Sequence, residues 1–565
     1  MVPPSWTCSS TRAECPPYPL ECHLPLIAHL SATSECDRAP PLSAHCLLRY
    51  DPARFHAATV ADAAWVKDRT HESYAKTYSI VFPSDEPLAG RGARKSALHE
   101  PLALRGCVFQ ARHGYERPGW FVGSEVGTSA LPRPYDFYGA YADEGSGWRL
   151  GEGAADHIPK HADHMYHDLV HGELTFGWPQ SFDLVAEEVR AARQGVALFD
   201  QSYFGKLHIR GPRADAAMQW ICGADMEGKH VGSVTYTPLC NANGGVEADV
   251  TVTKLASNEW YMCTGGSTCT HDRRWIDHAL SVGGYGGADG GVTLHDLSEE
   301  ITLLSVQGPL SQALLAPLVG GGALDDLGSF GFSTAKEVSV AGVRGIRLIR
   351  LTFVGELGFE LHMPSAAAAH VYAAIRQAGE ALSAKAGRPV RDAGYFAIDS
   401  LSAEKSFRHW HTDLGCADTP MEAAIGFTVL PKLKRADAPE FLGRAALEAQ
   451  RQRGLQRRLV TLTLDVPGGP RGSALPLHGA ELIERNGEPL GIVRSTAYGH
   501  SLGRQILTGY VHCPKGLEKI TPAWLREGTW SVRSKRRSPL PATLHLEAPF
   551  DPQNKRVKGD YTDAT

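Results

Sequence analysis

Apolar and polar positions between residues 176 and 424 switch repeatedly between a period near 3.6 and a period near 2, so helices and strands are expected to alternate there. Residues 183–194 carry an amphipathic helical pattern and 205–209 a strand. The clearest strand is 345–354, Gly-Ile-Arg-Leu-Ile-Arg-Leu-Thr-Phe-Val, stopped by Gly355 and Gly358 and resumed over 359–363. The clearest helix follows it, with Ser365 as N-cap, an alanine-rich body through Ile375 and Gly379 as its stop. Beyond Arg457 the pattern turns to strands. Residues 459–464 read Leu-Val-Thr-Leu-Thr-Leu, and 481–485 and 489–493 flank Asn486-Gly487, the pair that suits a type I′ hairpin turn. Short strands in that number predict a small barrel.

Upstream the text is irregular. Residues 1–46 hold eight prolines and five cysteines without periodicity, which reads as a non-globular terminus. Only Arg12 and Arg38 stand there against Glu14, Glu21, Glu35 and Asp37, a poor match to an Arg-rich, acid-poor transit peptide. Residues 47–122 are mixed and aromatic, enough for an appendage. Residues 123–171, rich in Gly, Tyr and Pro, read as a linker. At 565 residues the chain exceeds one hydrophobic core, which stops growing near roughly 250–300 residues, so two to four domains are expected. A net charge of -5 leaves no basic footprint for nucleic acid or a membrane surface, and no run of about 18 apolar residues could span a bilayer. The expected partner is a small molecule. Twelve cysteines without a CxxC pair favour a reducing compartment over a zinc ribbon.

Several clusters could carry chemistry. After the Gly244-Gly245 turn, a strand places Asp249 and Thr251 on one face, with Val250 and Val252 on the other. An exposed edge-strand face is the competing reading. Glu356 and Glu360 flank the turn that interrupts the strongest strand; a carboxylate there could accept two N–H bonds from an amidine-like ring edge, or could be a surface turn acid. From Asp399 a helical start leads into Arg408, His409, Trp410 and His411, a density of functional side chains unusual for a plain loop. His157, His161, His164 and His171 have helical spacing, but Pro159 and the lack of Cys or Glu partners favour a polar linker, and no metal site is expected. The glycine run at 283–291 lacks the strand and helix of a dinucleotide fingerprint.

Together these segments resemble the glycine cleavage aminomethyltransferases (T-proteins). The pieces are Gly244-Gly245 to Asp249, Gln307-Gly308-Pro309, Phe353 to Glu360, and Asp399-Ser400-Leu401 to Glu404, in family order between residues 172 and 559. Residues 199–206, 354–358, 408–411 and 549–559, with 71–76 and 116–121 upstream, are similar to the sarcosine and dimethylglycine dehydrogenase branch. Two positions depart from the T-protein pattern: Ile398 stands where an arginine precedes Asp-Ser-Leu, and Phe353 where tyrosine is commoner.

The resemblance implies an α+β, multi-lobed aminomethyltransferase fold. It places a folate-binding domain at 172–445, a barrel at 455–552, and a remnant of the FAD-dependent oxidoreductase central domain at 47–122. It implies capture of a formaldehyde or iminium carbon on tetrahydrofolate, giving 5,10-methylenetetrahydrofolate, in the mitochondrial matrix. Asp249 would serve the reacting nitrogens, while Thr251, Gly265, Gly266, Phe353 and Glu360 would bind the folate. Arg408, His409, His411, Lys432 and Lys434 are further candidates, the lysines for the glutamate tail. The family's FAD domain lies upstream of anything matching Arg49, so FAD is not expected on this chain and a separate flavoprotein is an expected partner. A non-catalytic folate-binding or assembly subunit, and an inert fragment of an incomplete gene model, are the alternatives.

Overall fold

The computed structural model describes residues 55–122 (except 79 and 88), the strand pairs 142–143 and 147–148, and residues 172–562 except 288–290, 471, 473–474 and 535–537. The expectations for 1–46 and for the histidines at 157–171 lie outside these residues. Helices α1 (Ala63–Ala75) and α2 (His99–Ala103) precede a hairpin of β1 (Cys107–Arg112) and β2 (Tyr115–Phe121). The amphipathic segment forms α3 (Phe182–Gln194), which buries Val185, Val189 and Ala192.

Two sheets and a barrel follow. Strands β3 (Val196–Asp200), β4 (Gly205–Arg210), β5 (Val234–Cys240), β6 (Val246–Ala256), β7 (Glu259–Thr264) and β8 (Thr293–Asp296) are joined by α4 (Ala214–Ile221) and α5 (Cys269–Val282). Five of them form a sheet in the order β8-β4-β7-β6-β5. Next come β9 (Ile301–Gln307), β10 (Thr334–Val340), β11 (Val343–Arg350), β12 (Gly358–Pro364), α6 (Ala368–Ala386), β13 (Val390–Asp392) and α7 (Tyr395–Glu404). The second sheet runs β10-β11-β12-β9-β3-β13, with β13 parallel to β3. After α8 (Leu430–Lys434), strands β14 (Arg457–Leu464), β15 (Leu482–Arg485), β16 (Glu488–Gly499), β17 (Arg504–His512), β18 (Trp530–Arg533) and β19 (Leu540–His545) close the expected barrel in the order β14-β17-β16-β15-β18-β19.

Asn486 and Gly487 both have positive φ, as a type I′ turn requires. The strand expected over 345–354 ends at Arg350, and residues 351–357 form the turn. The helix expected to stop at Gly379 continues to Ala386 and is closed by Gly387 in the left-handed conformation. Gly379 is buried within it because a Cβ there would come within 2.7 Å of Val390. Ser365 lies in a preceding 3-10 turn and makes no side-chain cap.

Leu98, Leu102, Cys107 and Phe109 share a core with Val196, Leu198, Phe359 and Ile375. Residues 98–121, expected with the central-domain remnant, therefore pack into the second sheet's lobe. Glu188 of α3 ties them in further, accepting from the backbone N–H groups of Phe121 and Gly394, each at 2.8 Å.

Candidate functional site

The local chain builds the first half of the site from a turn. The Asn241 side-chain oxygen accepts from the backbone N–H groups of Asn243 and Gly245, while its Nδ2 donates to Glu247 and to the Cys416 carbonyl. Gly245 must lack a Cβ, which would lie 1.8 Å from that carbonyl oxygen. Out of this turn β6 runs with Ala248, Val250 and Val252 in the core beneath, so Asp249 and Thr251 share the opposite face. Thr251 lies opposite Tyr236 on β5 and Cys263 on β7.

Asp249 is enclosed by protein on nearly every side yet keeps part of its surface open to water, the situation of a group lining a recess. The Tyr236 hydroxyl, reaching diagonally across the ladder, donates to its Oδ2 at 2.9 Å. Burial pushes the Asp249 carboxyl up to about 6, against the opposing pull of the Tyr236 hydrogen bond and the nearby His409. His409, whose Nε2 lies 3.0 Å from Ser402 Oγ, meets the Phe353 ring edge-on at 4.9 Å. Phe353 also stacks on Phe407. Asp249, His409 and Phe353 are thereby brought together from three separate segments.

Glu360 stands on β12 of the other sheet, opposite Ser305 and Ile349. His362 Nε2 lies 3.3 Å from Glu360 Oε2, and His362 Nδ1 lies 2.9 Å from the Tyr261 hydroxyl. Burial lowers the His362 pKa, so a neutral ring that donates from Nε2 and accepts at Nδ1 satisfies both contacts. Glu360 Oε1 has no hydrogen-bond partner among the described residues, and the side chain is 12% exposed. Cys263, opposite Thr251, lies 4.0 Å from the same histidine, so the two carboxylate-bearing strands are linked through Thr251, Cys263 and His362.

The other expected positions divide. A Cβ at Gly265 would lie 2.8 Å from the Thr268 hydroxyl, its one near neighbour. Gly266 is tight for a different reason: its Cβ would lie 2.1 Å from both the ring and the carbonyl of Tyr203, so the close approach is to protein. Arg408 is buried and donates to Thr461 Oγ1 of the barrel at 3.1 Å, a lobe-to-barrel contact. His411 is an exposed residue at φ 77° in the turn that ends at Leu414.

Lys432 corrects the expectation of a glutamate-tail contact. It is fully buried, with its ammonium donating to the carbonyl of Gln219 in the last turn of α4 and to those of Cys222 and Ala224 just beyond it. Lys434 is exposed. Glu356 and Glu404 are spent on Arg193, with Arg556 and Tyr561 also on Glu356. Sequence reasoning missed Tyr236 and His362, each fixed by strand register that no local pattern reveals. A recess of about 490 Å³ on the barrel wall, lined by Arg457, Ile492, Arg494 and Tyr510 among others, includes none of the site residues.

Two sheets, one bearing Asp249 and the other Glu360, followed by a six-stranded closed barrel define a T-protein-type module, and comparison with known families agrees. The GCVT N-terminal domain matches residues 98–432, the glycine cleavage T-protein C-terminal barrel domain 457–551, and the FAD dependent oxidoreductase central domain 46–96. The chain belongs to the glycine cleavage T-protein (aminomethyltransferase) family. It is 40% identical over 525 residues to the mitochondrial sarcosine dehydrogenase of Homo sapiens, covering 91% of this chain and 52% of that protein. The mitochondrial pyruvate dehydrogenase phosphatase regulatory subunit of Mus musculus is 29% identical over 466 residues, covering 82% of this chain and 46% of that one. The chain thus spans about half the length of these relatives. The crystal structure of the glycine cleavage system aminomethyltransferase T from Bartonella henselae shares the fold, with TM-score 0.57 at 19% identity over 81% of this chain and 98% of that one. Among the described residues no helix is long and apolar enough to cross a membrane.

Proposed function

We propose that this chain captures a one-carbon unit at the oxidation level of formaldehyde on tetrahydrofolate, giving 5,10-methylenetetrahydrofolate, as the folate half of a sarcosine dehydrogenase-like system. The observation that carries this reading is Asp249, a recessed carboxylate that burial pushes up to about 6, set beside Thr251 and the His409–Phe353 pair. Tetrahydrofolate supplies the two nitrogens that take up the carbon, with water leaving when formaldehyde is the donor. Asp249, once ionised, would stabilise the cation that develops and accept the proton released at ring closure. The Tyr236 hydroxyl fixes that carboxylate in place. Glu360, with one oxygen on His362 and the other open, is suited to accept from an amidine-like ring edge. Thr251 supplies a hydroxyl, and Phe353 supplies a stacking face without the hydroxyl of tyrosine.

Oxidation of the N-methyl amine belongs, by the resemblance, to a flavin-binding region upstream of the matched half, on this or another polypeptide. The mitochondrial relatives support a mitochondrial location. A second reading, a non-catalytic folate-binding or assembly subunit, draws support from the mouse relative named as a regulatory subunit. Formation of methylenetetrahydrofolate from formaldehyde, corrected for the spontaneous reaction, separates them. Acceleration by the chain that Asp249→Asn abolishes supports capture; tight folate binding with only the spontaneous rate supports the subunit reading.

A further inference from the structure

Upstream of the aminomethyltransferase signatures, β2 presents Arg117 toward α7. Its guanidinium lies 3.5 Å from the ring centroid of Tyr395 and 5.5 Å from that of Tyr203, and the two phenols hydrogen-bond each other. The Arg117 Nε donates to Gln110 Oε1 at 3.2 Å, and Gln110 Nε2 in turn donates to Glu86 at 3.0 Å. Glu86 belongs to the segment matched by the oxidoreductase central domain, so that segment orients the arginine. The two terminal nitrogens of Arg117 have no hydrogen-bond or ion-pair partner among the described residues. Asp399, on the next turn of α7 after Tyr395, acts on the guanidinium through space without pairing to it. Like Asp249, Arg117 is enclosed by protein but half-buried rather than sealed.

A guanidinium held over an aromatic face, with its fork unspent, is preorganised for two parallel hydrogen bonds to a carboxylate. The wall it stands on is continuous with the folate site: Tyr203, Tyr395 and Val354 share one core cluster, Phe353 packs against it, and Gly266 abuts Tyr203. Resting on the folate reading above, we propose that Arg117, clamped by Tyr203 and Tyr395, binds a carboxylate of the ligand or substrate that this site receives. Two sources share that chemistry: the glutamyl tail of the folate, and the carboxylate of a small N-methyl amino acid that delivers the carbon.

The test is calorimetric titration of the full chain and its Arg117→Met and Arg117→Lys variants with 5-formyltetrahydrofolate, its analogue lacking the glutamate, and sarcosine. If the glutamyl tail is the source, the wild type prefers the glutamylated probe by at least about tenfold and Arg117→Met loses that preference. If the amino acid is the source, sarcosine binds the wild type and not Arg117→Met, while both folate probes bind the two proteins alike. Arg117→Lys, which keeps the charge but not the fork, should fall between in either case, and it serves where Arg117→Met does not fold. Wild type and variants that bind all three probes equally overturn the inference alone. A wild type that binds neither folate probe overturns the folate reading instead.

Discussion

Asp249→Asn should slow one-carbon capture while making the protein more stable above pH 6. In the folded chain burial raises this carboxyl to about 6 from its ordinary 3.8, so the protonated form is favoured by folding. The sign follows directly. The stabilising preference is fully present below the unfolded value, is lost as pH rises through the folded value, and is gone above about 6. A difference of about two units corresponds to about 3 kcal/mol spent keeping the carboxylate ionised at pH 8. Asparagine keeps the shape and an acceptor for the Tyr236 hydroxyl without the charge, so it should recover about 1–3 kcal/mol at pH 8, roughly a third of that at pH 4.5, and almost nothing below about pH 3. For a lobe this size that is a rise of roughly 1–5 °C in Tm. The capture rate should fall by about 10²-fold or more, because a group that stabilises developing charge acts on the transition state. Thermal unfolding at these pH values, beside the formaldehyde assay, measures both effects. A variant equally or less stable at pH 8, or one with an unchanged rate, would refute the argument.

Wild-type capture should itself rise with pH through about 6 as Asp249 ionises, and a flat profile from pH 5 to 8 would exclude it as the proton acceptor. Lys432→Met strips three backbone carbonyls of their donor and should destabilise by about 2–4 kcal/mol, leaving folate affinity within twofold; a selective loss of affinity would restore the lysine as a tail contact. Gly266→Ala should lower Tm by several degrees through collision with Tyr203, and an unaltered Tm would show that the loop tolerates a Cβ. The purified 565-residue chain should show no flavin absorbance, because no glycine run in it has the strand-turn-helix context of a dinucleotide fingerprint; a yellow protein would refute that.

The sequence made visible what one strand or one turn decides. Alternation alone put Asp249 and Thr251 on one face with Val250 and Val252 beneath, and Asn486-Gly487 fixed its own turn. Contacts that depend on register or on distant segments were not legible. Tyr236 reaches Asp249 only because β5 and β6 pair with Thr251 opposite Tyr236, and His362 reaches Tyr261 across two sheets. Local punctuation also misled: Gly379 reads as a helix stop, yet tertiary packing on Val390 keeps it inside α6. The resemblance offered Lys432 and Lys434 for the glutamate tail, although Lys432 is fully buried. Arg117 lies outside the T-protein motifs, and its role emerges only where the hairpin meets α7.

The central claim is that Asp249 and Glu360 divide the work on one bound folate, and calorimetric titration of tetrahydrofolate into wild type, Asp249→Asn and Glu360→Gln tests it most directly. The account predicts micromolar binding by the wild type, a change of at most a few-fold in Asp249→Asn, and a loss of about 1–3 kcal/mol in Glu360→Gln, which removes a charge-assisted pair with the ring. No binding by the wild type, or equal losses in the two variants, would contradict it.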